Sequence, residues 1–303
     1  MLLQVRATRL LLEKGRAVGV EYVGPEGRKT IRAEREVLVC CGAFETPKLL
    51  MLSGVGPSGQ LGAHEIPVIR DLPGVGGNLQ DHLLLGIGFE SLTDLPAPEM
   101  AAEAGLFLRT RPGGDRASPD LQYFFGPVLQ PSLRSFAPEG LSDSRAFTFT
   151  PILSQPSSRG TVTLASRDPS ALARVDPRYL TRDEDLAVLE YGIRYARELA
   201  HTRAFDALRG REIAPGAAVT SRRELHAYIR RYANTVWHPV GTCKMGSDPE
   251  AVVDDQLRVH GVEGLRVVDA SVMPTVVNGN PNAAVMMIAE RAADLLRGGA
   301  GRS

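Results

Sequence analysis

The sequence predicts a mixed α and β fold large enough for two domains, and three observations predict it. A short continuous apolar run at 37–41 (VLVCC) and a second stretch at 265–268 (LRVV) each fit a buried strand, and each has a Pro-led helix start behind it. Between them lie strand-like pieces at 121–125, 146–152 and 160–164, together with helical spacing at 186–199 and 221–232. The 303 residues are 43% hydrophobic, enough to bury more than one core.

The elements follow in order. Alternation at Val5 and Ala7 leads into the Leu10–Leu11–Leu12 run, which reads as a strand. Glu13-Lys14-Gly15 is a turn, 17–23 the hairpin partner, 24–27 a second turn and 29–33 a third strand. A chain that opens inside a meander reads as lacking its beginning. After the run at 37–41, Thr46 has the chemistry of an N-cap and Pro47 that of a first helical residue, so a helix is expected over 47–53, ended by Gly54. The Gly-rich stretch 55–82 reads as a connection between domains, and 93–118 carries little pattern. Thr181 and Glu184 have capping-box spacing ahead of Leu186, Leu189, Ile193 and Leu199. A second helix is expected over 221–232. The segment 234–246, NTVWHPVGTCKMG, is a loop, and 265–268 is a strand ending in Asp269-Ala270-Ser271. Asn280 then has the place of an N-cap and Pro281 that of a first helical residue; Val285, Ile288, Ala292 and Leu295 form the apolar face, and Gly298 is the stop.

Composition excludes several classes. Lys plus Arg equals Asp plus Glu at 35 each, which argues against a nucleic-acid-binding surface. The three cysteines, Cys40, Cys41 and Cys243, form no C-x-x-C, so neither a disulfide framework nor a zinc site is expected. A reducing cytoplasm fits that pattern. No apolar run reaches the length of a membrane span, and Arg6 and Arg9 break up any signal-peptide core. No two histidines fall at helical i, i+4 spacing, so no metal is expected. Gly54, Gly56 and Gly59 satisfy G-x-G-x-x-G, but the motif follows a helix and contains Pro57. It is read as structural, not as a dinucleotide loop.

Five segments together resemble one family. GAFETPKLLMLSGVG (42–56) is similar to the second signature of the glucose–methanol–choline (GMC) oxidoreductases. NLQDH (78–82) resembles that family's linker into its substrate domain, and HPVGTCKMG (238–246) its active-site loop. LRVVDASVMP (265–274) and GNPN (279–282) resemble its C-terminal flavin segment. Asn280 places the likeness nearest the choline-dehydrogenase-like branch. The resemblance covers the C-terminal part only, since no strand–GxGxxG–helix unit and no first signature are present.

The resemblance implies an α/β FAD-binding domain, incomplete for want of that N-terminal unit, with an inserted α+β substrate-binding domain on an antiparallel sheet. Its boundaries are expected at 1–77 for the first part of the FAD-binding domain, 78–233 for the substrate domain and 234–303 for the active-site loop and C-terminal FAD segment. It implies an FAD-dependent oxidoreductase acting on the CH–OH group of an alcohol. Hydride goes to the flavin because no side chain accepts it. His238 takes the hydroxyl proton as general base, a task suited to imidazole. Asn280 hydrogen-bonds the substrate oxygen as it becomes alkoxide-like, although a plain N-cap role competes for the same side chain. Cofactor contacts are expected at Ala7, Asp269, Ala270, Pro281 and Asn282, with Trp237 lining the substrate pocket. A buried acid such as Asp269 could equally cap a turn. His82 reads as structural, and His64, His201, His226 and His260 as ordinary. The expected partners are a small-molecule alcohol and a separate N-terminal FAD-binding chain. The alternatives are a non-catalytic remnant that binds substrate without FAD, and a lyase on the same scaffold.

Overall fold

A computed structural model describes residues 1–100, 102–110 and 118–299. The chain opens with an antiparallel meander of β1 (Arg6–Glu13), β2 (Arg16–Gly24) and β3 (Gly27–Arg32), ordered β1-β2-β3. The turns at Lys14-Gly15 and Gly27 take positive φ, as the turn residues predict. Next come β4 (Val37–Val39), α1 (Gly42–Leu52), β5 (Val55–Gly56), α2 (Ser58–Ala63) and β6 (Arg70–Asp71).

The middle of the chain builds one antiparallel sheet. Its strands are β7 (Leu83–Leu84), β8 (Ile87–Ser91), β9 (Ala104–Leu108), β10 (Leu121–Gly126) and β11 (Ala146–Leu153). After β12 (Thr161–Thr163), β13 (Arg174–Asp176) and α3 (Asp183–Ala200), the sheet gains β14 (Arg209–Ala214). α4 (Arg222–Tyr232) and β15 (Asn234–Thr235) follow. The order is β14-β8-β11-β10-β9, with β7 bonded to both β11 and β15. Near the end, β16 (Leu265–Val267) returns to pair in parallel with β4, and α5 (Asn282–Gly299) closes the chain. Residues 101 and 111–117 of the pattern-poor stretch lie outside the described residues; within the rest of it β9 forms, which the sequence did not predict.

Two apolar cores result. One gathers Leu10, Leu50, Met51, Val55, Val267 and Ile288 from the meander, α1, β5, β16 and α5. The other packs Phe89, Phe147, Phe149, Leu189, Ile193 and Ile229 between the large sheet and helices α3 and α4. Among the described residues no helix is long and apolar enough to cross a membrane.

Four local expectations are corrected. First, β4 is not fully buried. Val37 and Val39 are, but Leu38 between them is 43% exposed. Alternate strand residues point to opposite faces, and among the described residues the face toward which Leu38 points is not covered. Second, α1 begins at Gly42, so Thr46 is not its N-cap and Pro47 not its first residue. The Thr46 hydroxyl instead donates to Asp269 at 2.6 Å and accepts the Cys41 N–H at 3.1 Å. Pro47 sits inside the helix, where it can offer no N–H to the Ala43 carbonyl. The hydroxyl of Thr242, from a distant loop, donates to that carbonyl at 2.6 Å. Third, Thr181 does not cap α3. Its hydroxyl donates to Arg178 O, and the helix starts with three acids, Asp183, Glu184 and Asp185, favourable at the positive end of its dipole. The full capping box forms at α4, between Ser221 and Glu224. Fourth, the first carbonyl of α5 to accept an intrahelical bond is that of Pro281, from Val285 N–H at 2.9 Å. Asn280 therefore lies just outside the helix.

The G-x-G-x-x-G stretch is structural in the fold. It follows α1 and runs through β5 into the short α2. Gly54 has φ +81°, and a Cβ there would meet Pro67 O at 2.5 Å, so close chain packing demands the glycine.

Candidate active site

The site is assembled where β15 meets β7. Both are two residues long, in antiparallel register Asn234↔Leu84 and Thr235↔Leu83. One more bond, Val236 N–H to His82 O at 3.1 Å, carries the pairing past the strand ends. It brings the Asp81-His82 dipeptide against the loop that holds His238, 156 residues away in sequence.

Asp81 is buried and its carboxylate organises that loop. Oδ1 accepts the main-chain N–H of His238 at 2.8 Å, and Oδ2 accepts the hydroxyls of Thr235 and Tyr179, each at 2.5 Å. Thr235 Oγ1 in turn accepts Trp237 N–H at 2.7 Å. Trp237 is thereby held at φ +58°, a left-handed conformation that is unusual for a bulky residue and needs outside support. The residue is 78% exposed.

His82 has no solvent exposure. Its Nε2 lies 3.1 Å from Ser154 O and its Nδ1 lies 2.9 Å from His238 Nδ1. Burial, with His238 alongside, pushes the His82 imidazole down to about 4, so it is neutral near pH 7. Burial lowers His238 as well, and the Asp81 carboxylate partly offsets that. The sequence reading of His82 as structural misses its direct contact with His238. A usable signal was present: a polar Asp-His pair entering the apolar stretch Leu83-Leu84-Leu85 must find partners inside.

On the outward side of the ring, His238 Nε2 lies 3.5 Å from the amide nitrogen of exposed Asn280. This is a long contact, and it shows Asn280 directed at His238. Lying outside the helix, Asn280 stands where its side chain reaches the imidazole and α5 still begins normally. The loop after His238 is locked from behind. Gly241 takes φ +94° against Asn78, its N–H reaches Ala270 O, and Thr242 ties the loop to α1 as described.

The remaining expected residues lie at separate places. Asp269 is buried and its carboxylate is spent on the fold: Oδ1 accepts Ser271 N–H, and Oδ2 accepts Gly42 N–H and the Thr46 hydroxyl. It caps a short 3-10 turn, Ala270–Val272, and pins the end of β16 to the start of α1. Ala7 is exposed and lines an open cavity of about 350 Å³ with Arg6, Cys41, Glu45 and Lys48. Pro281 is buried and Asn282 exposed at the start of α5. His64, His201 and His260 each contact a main-chain carbonyl, and His226 pairs with Glu190. Among the described residues no group of three or more His, Cys, Asp or Glu could hold a metal ion.

Comparison with known proteins identifies the family. Two sequence models described as GMC oxidoreductase match, an N-terminal one at residues 1–84 and a C-terminal one at 156–289. The expectation of a C-terminal part alone, and of an FAD-binding domain represented only from that side, is therefore corrected. The 42–56 signature falls within the N-terminal match. Over 316 residues the chain is 42% identical to an oxygen-dependent choline dehydrogenase of Pseudomonas aeruginosa (strain LESB58), covering 96% of this chain and 55% of that protein. It is 45% identical over 307 residues to choline oxidase of Arthrobacter globiformis, covering 98% and 55%. Among solved structures, pyridoxine 4-oxidase of Mesorbium loti superposes with a TM-score of 0.86 at 33% identity, covering 96% of this chain and 56% of the other. Formate oxidase of Aspergillus oryzae superposes with a TM-score of 0.87 at 26% identity, covering 97% and 60%. The chain spans little more than half the length of the curated relatives it matches. With such identity across nearly all of its own length, and with both models matched, the chain belongs to the GMC oxidoreductase family.

Proposed function

We propose that this chain carries the proton chemistry of an FAD-dependent oxidoreductase acting on the CH–OH group of a small alcohol. The observation that carries the reading is the run of contacts Ser154 O, His82, His238, Asn280, which ends on an imidazole nitrogen facing outward beside an amide donor. In this reading His238 Nε2 accepts the hydroxyl proton, and the Asn280 amide donates to the oxygen as negative charge builds there. Trp237 walls one side of the substrate pocket. Lowering of the His238 pKa by burial keeps the imidazole neutral and able to accept a proton at physiological pH. Such a complete relay favours a working site over a decayed remnant.

The residues present fit a flavin dinucleotide. α5 opens with residues 282–284 ahead of its first intrahelical N–H donor, Val285, and Asn282 and Ala283 there are exposed. A helix start of this kind favours anionic groups. In this reading Pro281 and Asn282 meet the cofactor at that end and Ala7 meets it in the open cavity. Asp269 and Ala270 contribute through their main chain, since the Asp269 carboxylate is already engaged. FAD, when bound, supplies the acceptor for the hydride that leaves the carbinol carbon.

The division expected at 1–77, 78–233 and 234–303 is retained as a proposal, supported by the two cores. A partner segment contributing FAD-binding structure is also part of the reading. The outer edge of β16 is covered through the Arg258↔Arg266 bridge, whereas β4 has no second ladder among the described residues. Leu38 of β4 is exposed, as are Phe44, Met286 and Met287, apolar side chains suited to packing against a further segment. The test is to co-express the chain with the N-terminal remainder of a relative, load FAD and add a panel of alcohols without oxygen. Bleaching of the yellow flavin by at least one alcohol is expected. An intact, FAD-loaded assembly that no alcohol bleaches would overturn the proposal.

A further inference from the structure

A base must be bare on the nitrogen that meets the substrate, and neutral imidazole has two forms to choose between. Which ring nitrogen is protonated is set by the partner of the other one. Here the partners form a one-way chain. A carbonyl oxygen can only accept, so the contact from Ser154 O at 3.1 Å puts the proton of His82 on Nε2. His82 is wholly buried and neutral, so its Nδ1 is then a lone-pair acceptor. That atom lies 2.9 Å from His238 Nδ1, a distance that requires a proton between them, and only His238 can supply it. Neutral His238 has no second proton, and its Nε2 is left bare. The group opposite is the Asn280 amide nitrogen at 3.5 Å, which can donate but not accept, in agreement with the rest. Reversing the chain would turn a bare His82 Nε2 against Ser154 O, lone pair against lone pair in a buried place, and set a protonated His238 Nε2 against the Asn280 amide donor.

Asp81 acts on the same residue from the main-chain side. Adjacent residues of an extended segment point to opposite sides, so the dipeptide can hold His238 at two points. Asp81 takes its main-chain N–H at 2.8 Å while His82 takes its ring. We propose that Asp81 and His82 are positioning residues that hold His238 as the tautomer protonated on Nδ1, with Nε2 bare and directed toward Asn280. This rests on the reading of His238 as proton acceptor only for its catalytic meaning; the tautomer itself is a property of the chain alone.

The experiment is a long-range proton–nitrogen correlation spectrum of the full chain labelled with 15N-histidine, near neutral pH, with His238 assigned by its loss in His238→Gln. In the wild-type chain His238 is expected to show Nδ1 protonated and Nε2 bare, by about tenfold or more, the scale set by leaving a buried acceptor unsatisfied. His82→Leu removes the acceptor and should bring the two forms within about threefold of each other. His82→Asn places an amide oxygen where Nδ1 stood and should restore the preference. Asp81→Ala should weaken the preference, and Asp81→Asn, which keeps an acceptor for the His238 N–H, should retain it. A wild-type His238 carrying its proton on Nε2 would overturn the proposal whether or not the variants fold. So would a preference that survives both His82→Leu and Asp81→Ala. Flavin reduction that is indifferent to His238, in a chain showing the expected tautomer, would instead defeat the proposed function and leave this assignment standing.

Discussion

Thr242 and Pro47 should be thermodynamically coupled although they are 195 residues apart. Pro47 lies inside α1 and cannot bond the Ala43 carbonyl, four residues back. The Thr242 hydroxyl reaches that carbonyl at 2.6 Å, and both Thr242 and Ala43 are buried. Thr242→Val keeps the shape and leaves the carbonyl without its hydroxyl donor, at a cost of about 1–3 kcal/mol. With a urea m-value of about 3 kcal/mol/M, the midpoint should fall by about 0.3–1 M. In a Pro47→Ala background the restored N–H of residue 47 can serve the carbonyl, so the same Thr242→Val change should cost about half as much or less. The assay is a four-member urea-denaturation cycle followed by the single Trp237, which stands in the loop that Thr242 anchors. A coupling energy indistinguishable from zero, or a Thr242→Val cost below about 0.3 kcal/mol in the parent, would refute the reasoning.

Two further outcomes are expected. The unfolded chain takes up a proton on His82 below pH 6.5, whereas the fold resists until about 4, with His238 and Asp81 the titratable groups facing it. Stability should therefore fall by about 3 kcal/mol as pH drops from 6.5 to 4, with no further loss from this group below. His82→Asn should flatten that window, and an unchanged slope would contradict the burial of a neutral imidazole. Ser221→Ala removes the capping box of α4 and should cost about 1 kcal/mol in thermal or urea denaturation, while Thr181→Ala should cost less than about 0.5 kcal/mol; the reverse ranking would show the caps misassigned.

What could be read from the sequence was mostly local. The meander, α3, α4 and α5 follow from turn residues and helical spacing, because each depends on neighbours a few positions away. The capping box illustrates the limit. Ser/Thr-x-x-Glu spacing occurs at both Thr181 and Ser221, and the Thr181 hydroxyl is drawn off by Arg178 O, a contact that the spacing does not reveal. β4 looked fully buried because its apolar run is continuous, yet burial depends on whether both faces are covered, which no local pattern states. At the site, His238 and Asn280 were legible through resemblance. The contacts of Asp81 and His82 with His238 were not, because the register of two two-residue strands creates them and no local pattern encodes that register.

The proton-acceptor role proposed for His238 can be tested directly. The decisive measurement is the rate of anaerobic flavin reduction by an alcohol in the FAD-loaded assembly, compared between the parent and His238→Ala. With His238 as the base the rate should fall by about 10²-fold or more, the usual scale for removing a general base. A rate unchanged by the substitution would contradict that role.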